Sequence, residues 1–287
     1  MSDTNGGYYI PHGSSWPIIG SIGLFTMMQG FANFLNGSGS GSTVMLVGFA
    51  ILLFMIFGWF GTVIRESEAG TFNMQVDQSF RQGMAWFIFS EVMFFAAFFG
   101  ALWYARVLVG PWLGGGDPMT NELLYDGWEA VWPSNGPGNL GGEFTLLDPW
   151  KIPALNTLLL LSSGVTITFA HWALKKGNRG ALVMWMVATV LLGATFLGFQ
   201  IYEYGQAYSE HHNLTMGSGI YGSTFFMLTG FHGLHVTLGT IMLIVITLRC
   251  AKGHFTADRH FGFEAVAWYW HFVDVVWLGL FIFVYLL

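Results

Sequence analysis

Charge is what this 287-residue sequence has least of: Asp, Glu, Lys and Arg together make up 9% of it, against roughly a quarter in an ordinary soluble domain. A surface that poor in charge cannot stay dispersed in water, which excludes a soluble globular protein and points to a membrane. Cysteine is almost missing. Cys250 stands alone, so no intramolecular disulfide forms, and its place after Arg249 reads as a free, unreactive thiol. Proline is scarce and breaks the middle of no apolar run. No basic stretch interleaved with aromatics exists, so nothing suggests nucleic-acid binding. Residues 1–15 hold no Lys or Arg, and the apolar run after them is too long for the h-region of a secretory signal.

What is present is apolar and aromatic. Hydrophobic residues make up 54%, with 28 Phe and 13 Trp, and the mean hydropathy is +0.55. A helix that crosses the hydrocarbon needs roughly 20 apolar residues. Seven such runs occur: 16–35, 44–64, 83–105, 155–174, 181–202, 221–248 and 264–287. Each must satisfy its own backbone bonds in lipid, and no alternating strand pattern appears. The predicted class is all-α: a polytopic membrane protein with seven transmembrane helices, one membrane domain over 1–287. Lys and Arg sort by side. Arg65, Arg81, Lys175, Lys176, Arg179, Arg249, Lys252 and Arg259 fall on one face, and only Arg106 and Lys151 on the other. The positive-inside rule therefore puts the N-terminus inside and the C-terminus outside. The one long connection, 106–151, is acidic and rich in Gly and Pro, and reads as an ordered outer flap or a solvated loop. Glycines on the first run (Gly20, Gly23, Gly30) and the sixth (Gly219, Gly222, Gly230, Gly233, Gly239) suit close helix packing.

Ionisable groups at membrane depth are functional candidates by default. Glu91 stands eight residues into the third run, among Phe87, Phe89, Phe94 and Phe95, with no Lys or Arg in any run to pair with. It reads as a proton-linked or structural polar site, or as a carboxyl hydrogen-bonded to a facing helix. The seventh run carries Glu264, Trp268, His271 and Val275 on one stripe, and Asp274 is spaced to pair with His271. His232 and His235 share a face of the sixth. Stacked haems in a membrane cytochrome need paired histidines about 14 residues apart on each helix, and these are three apart, so buried hydrogen-bonding histidines are expected and no metal ligand is assigned. The basic residues at the inner ends orient the chain, or bind anionic lipid head groups between helices.

Several segments resemble subunit III of the cytochrome c oxidases: His260–Leu280 (HFGFEAVAWYWHFVDVVWLGL), Ile220–Gly239 (IYGSTFFMLTGFHGLHVTLG), Phe89–Phe99 (FSEVMFFAAFF), Val63–Ser67 (VIRES) and Leu155–Leu161 (LNTLLLL). The likeness runs in order over nearly the whole chain from Trp16. It implies a non-redox subunit of a proton-pumping haem–copper oxidase of the respiratory chain. Haem and copper would belong to partner subunits I and II, with no cofactor and no catalytic residue in this chain. It implies helices 1–2 (16–64) leaning away from a five-helix bundle (83–287) across a V-shaped cleft holding phospholipids. It carries lipid contacts onto Trp59, Arg65, Glu66, Arg249 and His254, and the family's intramembrane carboxyl onto Glu91. The subunit would stabilise the catalytic subunit and support proton uptake, with His254 and His260 on the inner rim. The sequence departs from the family pattern at Phe60, Gly61 and Thr62, and lacks a His within Gly70–Val76. The outer loop is longer than in mitochondrial versions, implying a bacterial inner membrane. A quinol oxidase subunit III typically lacks the first two helices, which are clear here. A proton-coupled transporter would show broken helices and paired charges.

Overall fold

The computed structural model describes Tyr9 and residues 13–287. Among them every regular element is helical, and seven helices are long and apolar enough to cross a membrane. In chain order the elements are α1 (Trp16–Leu35), α2 (Gly41–Glu68), α3 (Met74–Trp103), α4 (Pro118–Leu124), α5 (Ile152–Lys175), α6 (Arg179–Ala207), α7 (Gly219–Lys252) and α8 (Phe261–Leu280). The helices overrun the apolar runs, because a helix continues into the polar interface for as long as its backbone bonds hold. Thus α2 reaches Glu68 and α6 reaches Ala207. α3 starts at Met74 and passes into wider π-type turns over Tyr104–Val109 and Trp112–Gly116, and α8 does the same over Phe281–Leu286.

The chain divides into two compact units, one up to Arg81 and one from Gln82 to Leu287. In the first, α1 and α2 lie against each other through glycine. The buried residues of α1 are Gly23 and Gly30, and those of α2 are Gly41 and Gly48. A Cβ placed on Gly30, Gly41 or Gly48 would overlap the backbone of Met45, Phe34 or Met27. Lipid tails are as apolar as the helices, so close backbone approach supplies the attraction here. One polar bond crosses the pair: Trp16 Nε1 donates to Thr62 Oγ1 at 3.3 Å.

The second unit builds its core around two wholly buried indoles of α8. Trp270 seats its ring where Gly193 of α6 and Gly239 of α7 leave room, and its Nε1 donates to Ser163 Oγ of α5 at 2.8 Å. Trp277 donates to Thr157 Oγ1 of α5 at 2.9 Å. Thr166 and Thr189 tie α5 to α6 at 2.7 Å, and Tyr204 and Thr229 tie α6 to α7 at 2.7 Å. The expected glycine contacts hold at Gly239, whereas Gly233 meets nothing within 4 Å.

The 106–151 connection packs back on the helix ends. Its start belongs to the wide turns that prolong α3, and α4 follows, capped by Asp117, which accepts from the Thr120 backbone N–H at 3.3 Å. The remainder lies on the ends of α6 and α7. Thr145 N–H bonds the His212 carbonyl at 2.9 Å, Tyr221 N–H bonds Ser134 at 3.1 Å, and Phe144 stacks on Tyr221 with ring centres 5.6 Å apart.

Candidate functional site: polar clusters between the helices

Glu91 finds its partner across the helix interface. Its Oε2 lies 2.9 Å from Nε2 of His235 on α7. The other ring nitrogen, Nδ1, lies 2.6 Å from the Phe231 carbonyl, which only accepts, so Nδ1 carries a proton. One further proton lies between Nε2 and the carboxyl. Either a neutral carboxyl donates to the imidazole or an imidazolium faces a carboxylate, and both arrangements are electrically neutral as a pair. Phe95 packs edge-on against the imidazole at 4.9 Å, and Phe94 and Tyr269 flank it. The facing-helix hydrogen bond of the sequence reading is therefore present.

His232 and His235 serve different neighbours although they share a helix face. His232 is wholly buried. Its Nε2 donates to the Val273 carbonyl of α8 at 3.0 Å, and Phe196 and Trp277 pack against its ring. The spacing of His271 and Asp274 suggested a pair, but no hydrogen bond joins them among the described residues. Both instead line an open groove of about 350 Å³ with Leu161, Gly164 and Thr168. Both turn toward Gly164 of α5, where a Cβ would lie 2.9 Å from Asp274 Oδ2 and 3.6 Å from His271 Nδ1.

Two features escaped the sequence reading. Glu203 is a second buried carboxyl, accepting from the Tyr285 hydroxyl at 2.5 Å. It lay just past the end of the apolar run, and only the longer helix brings it inside. His171, near the end of α5, meets His260 and Glu264 at the start of α8. The three donor atoms lie 3.2 to 3.4 Å apart, the one such trio among the described residues that could hold a metal ion. A histidine close to the charged end of an otherwise apolar run was the available signal.

The residues carried over as lipid contacts fall into two groups, one in each unit. In the first unit Trp59 is exposed and stacks on Phe60. The exposed Arg65 donates to Thr62 Oγ1 at 3.1 Å, so Thr62, a departure from the family pattern, orients the arginine. In the second unit the Arg249 guanidinium lies over the Phe255 ring at 4.5 Å. Gly253, at φ +78°, ends α7 in the left-handed conformation that glycine adopts without strain. That turn lets the His254 N–H bond back to the Arg249 carbonyl at 3.1 Å.

A family profile described as cytochrome c oxidase subunit III matches residues 6–287. The chain is 42% identical over 279 residues to the cytochrome c oxidase subunit 3 of Marchantia polymorpha, covering 97% of this chain and 95% of the relative. It is 43% identical to that of Triticum aestivum over the same shares, and 40% identical to that of Danio rerio over 97% and 96%. Near-complete coverage and seven apolar helices in order agree with one another, and on those grounds the chain belongs to the cytochrome c oxidase subunit III family, a multi-pass membrane subunit of an oxidoreductase complex.

Proposed function

We propose that this chain is a lipid-binding, stabilising neighbour of the catalytic subunit, in contact with subunits I and II. In this reading haem and copper stay in those partners, and the chain supports proton uptake through its surroundings. The observation that carries it is the surface of α1 and α2, whose apolar spans are only 11% and 6% buried within the chain. So much apolar helix left uncovered calls for lipid or a partner. The exposed Arg65 spends one bond on Thr62 and keeps further donors for a phosphate. Glu66 beside it suits the amine or hydroxyl of a head group, Trp59 an acyl chain, and Arg249 with His254 a second head group. The eight-to-two division of Lys and Arg supports an inside N-terminus and an outside C-terminus, and the length of the 106–151 connection supports a bacterial cytoplasmic membrane.

The test is oxygen consumption against time by the purified oxidase with and without this chain. The expected result is a substantial initial rate in both and an early loss of activity without the chain. Complete loss of the initial rate on removal would overturn the reading, because it would mean the chain carries chemistry. In the same complex, Arg65→Ala should lower the phospholipid retained through purification, and unchanged lipid by mass spectrometry would remove Arg65 from the site. An impermeant thiol reagent should label a single cysteine at Asn135 but not one at Asn178 in sealed, oriented cells, and the reverse pattern would invert the orientation.

A further inference from the structure

The trio where α5 ends and α8 begins goes beyond this reading. His171 stands one turn before the end of α5. His260 is the residue just before α8, and Glu264 lies four residues on, in its first turn. The His171 and His260 Nε2 atoms are 3.3 Å apart, His171 Nε2 and Glu264 Oε1 are 3.4 Å apart, and His260 Nε2 and Glu264 Oε1 are 3.2 Å apart. We propose that His171, His260 and Glu264 bind one divalent transition-metal ion of the zinc class, with a fourth position open to water.

Three arguments converge. The first is distance. A zinc ion with bonds of about 2.0–2.1 Å in tetrahedral geometry spaces its ligands about 3.3–3.4 Å apart, and these three edges span 3.2 to 3.4 Å. An equilateral triangle of that edge has its corners about 1.9 Å from its centre, taking the mean edge over √3. An ion at zinc–ligand distance therefore sits slightly off the plane and leaves one side open.

The second is orientation. His260 Nδ1 lies 3.1 Å from the Thr256 carbonyl, so Nδ1 must donate and the neutral ring turns its Nε2 lone pair into the triangle. A backbone carbonyl on the outer nitrogen is how metal-binding histidines are commonly fixed in tautomer and direction. The third is the count of protons. With both rings neutral and the carboxylate ionised, the proton of His171 does not bridge the edge between His260 and Glu264; a second proton there, like the one between Glu91 and His235, would do so. A cation at the centre holds all three atoms with no proton added.

Two imidazoles and one carboxylate suit zinc and its transition-metal neighbours better than magnesium or calcium, which prefer oxygen alone. The side chains of His260 and Glu264 are 8% and 12% exposed and that of His171 is 24%, so the site is sheltered with one opening on the His171 side. Lys175, one turn further along α5, opposes a cation and limits affinity. The bound ion would clip the end of α5 to the start of α8.

The test uses the intact oxidase complex, stripped with a chelator and titrated with Zn²⁺ at pH 7.5 against a competing indicator. The partner subunits hold metals of their own, so the reading is the difference between parent and Glu264→Gln or His171→Asn complexes of equal haem content. The parent should bind one equivalent more tightly than either variant by 100-fold or more, since loss of even an outer-shell partner costs roughly 10–100-fold. Equal affinity and stoichiometry in parent and variants would overturn the proposal, as would no additional equivalent in the parent. If neither variant assembles, the zinc K-edge spectrum of the parent loaded with one equivalent decides. Two imidazole nitrogens and one carboxylate oxygen are expected, and any other ligand set would sink the assignment.

Discussion

The two units solve the same problem with different materials. In the membrane the hydrophobic effect does not press helices together, so close packing and polar bonds have to do so. The first unit uses closeness. The buried residues of α1 and α2 are all glycines, and a single indole–hydroxyl bond crosses the pair. The second unit uses polar anchors: Trp270 to Ser163, Trp277 to Thr157, His232 to the Val273 carbonyl, Glu91 to His235 and Tyr204 to Thr229. Its last four spans are 28 to 50% buried. The difference teaches that the amount of polar glue follows the amount of interior. A pair of helices with little inside relies on fit alone, whereas a bundle with an enclosed core can place hydroxyls and indoles where no lipid reaches them.

The largest expected effect tests the anchored unit. Trp270→Ala removes an indole that fills the notch between Gly193 and Gly239 and carries the bond to Ser163, so it should destabilise the chain by about 3–5 kcal/mol. Denaturant unfolding in mixed micelles measures this. A cost no greater than that of Ser163→Ala would mean the ring's volume contributes nothing. Next, Gly30→Leu drives a side chain into the Met45 backbone and should cost about 1–3 kcal/mol by overpacking, with the loss confined to the α1–α2 pair. Protease accessibility of the 36–40 turn reads this directly, and an unchanged digestion pattern would show that the pair does not depend on glycine contact. The smallest effect is at Glu91. Gln keeps a donor for the His235 ring, so Glu91→Gln should change stability by less than about 0.6 kcal/mol, the mean worth of an interhelical bond in a membrane, and leave initial oxidase turnover nearly intact. Glu91→Ala should cost more, because it leaves His235 Nε2 without its partner. Equal costs for Gln and Ala would remove the bond from the account.

Much of this was legible in the sequence, for physical reasons that also explain the remainder. The spans stood out because hydrocarbon demands long apolar runs, whatever the neighbours. Their ends did not, because interfacial residues such as Glu66, Glu68 and Tyr204 are polar and helical at once. The depth of Glu91 was plain from its place among phenylalanines, but its partner was not, since His235 lies 144 residues away and faces it only through the packing of α3 on α7. His271 and Asp274 had the spacing of a pair, yet both turn toward Gly164 of a second helix and no hydrogen bond joins them among the described residues. The trio of His171, His260 and Glu264 joins two helix ends 89 residues apart, and nothing local in either end announces the other.

The sharing of one proton between Glu91 and His235 has an electrical consequence. Passing that proton from carboxyl to imidazole moves one charge by no more than 2.9 Å, about a tenth of a hydrocarbon core of roughly 30 Å. A full crossing works against about 2.3 kcal/mol for each 100 mV of membrane potential, so this transfer meets at most about 0.2 kcal/mol of that. The pair is therefore nearly blind to voltage: an energised and a de-energised membrane leave its proton in the same place.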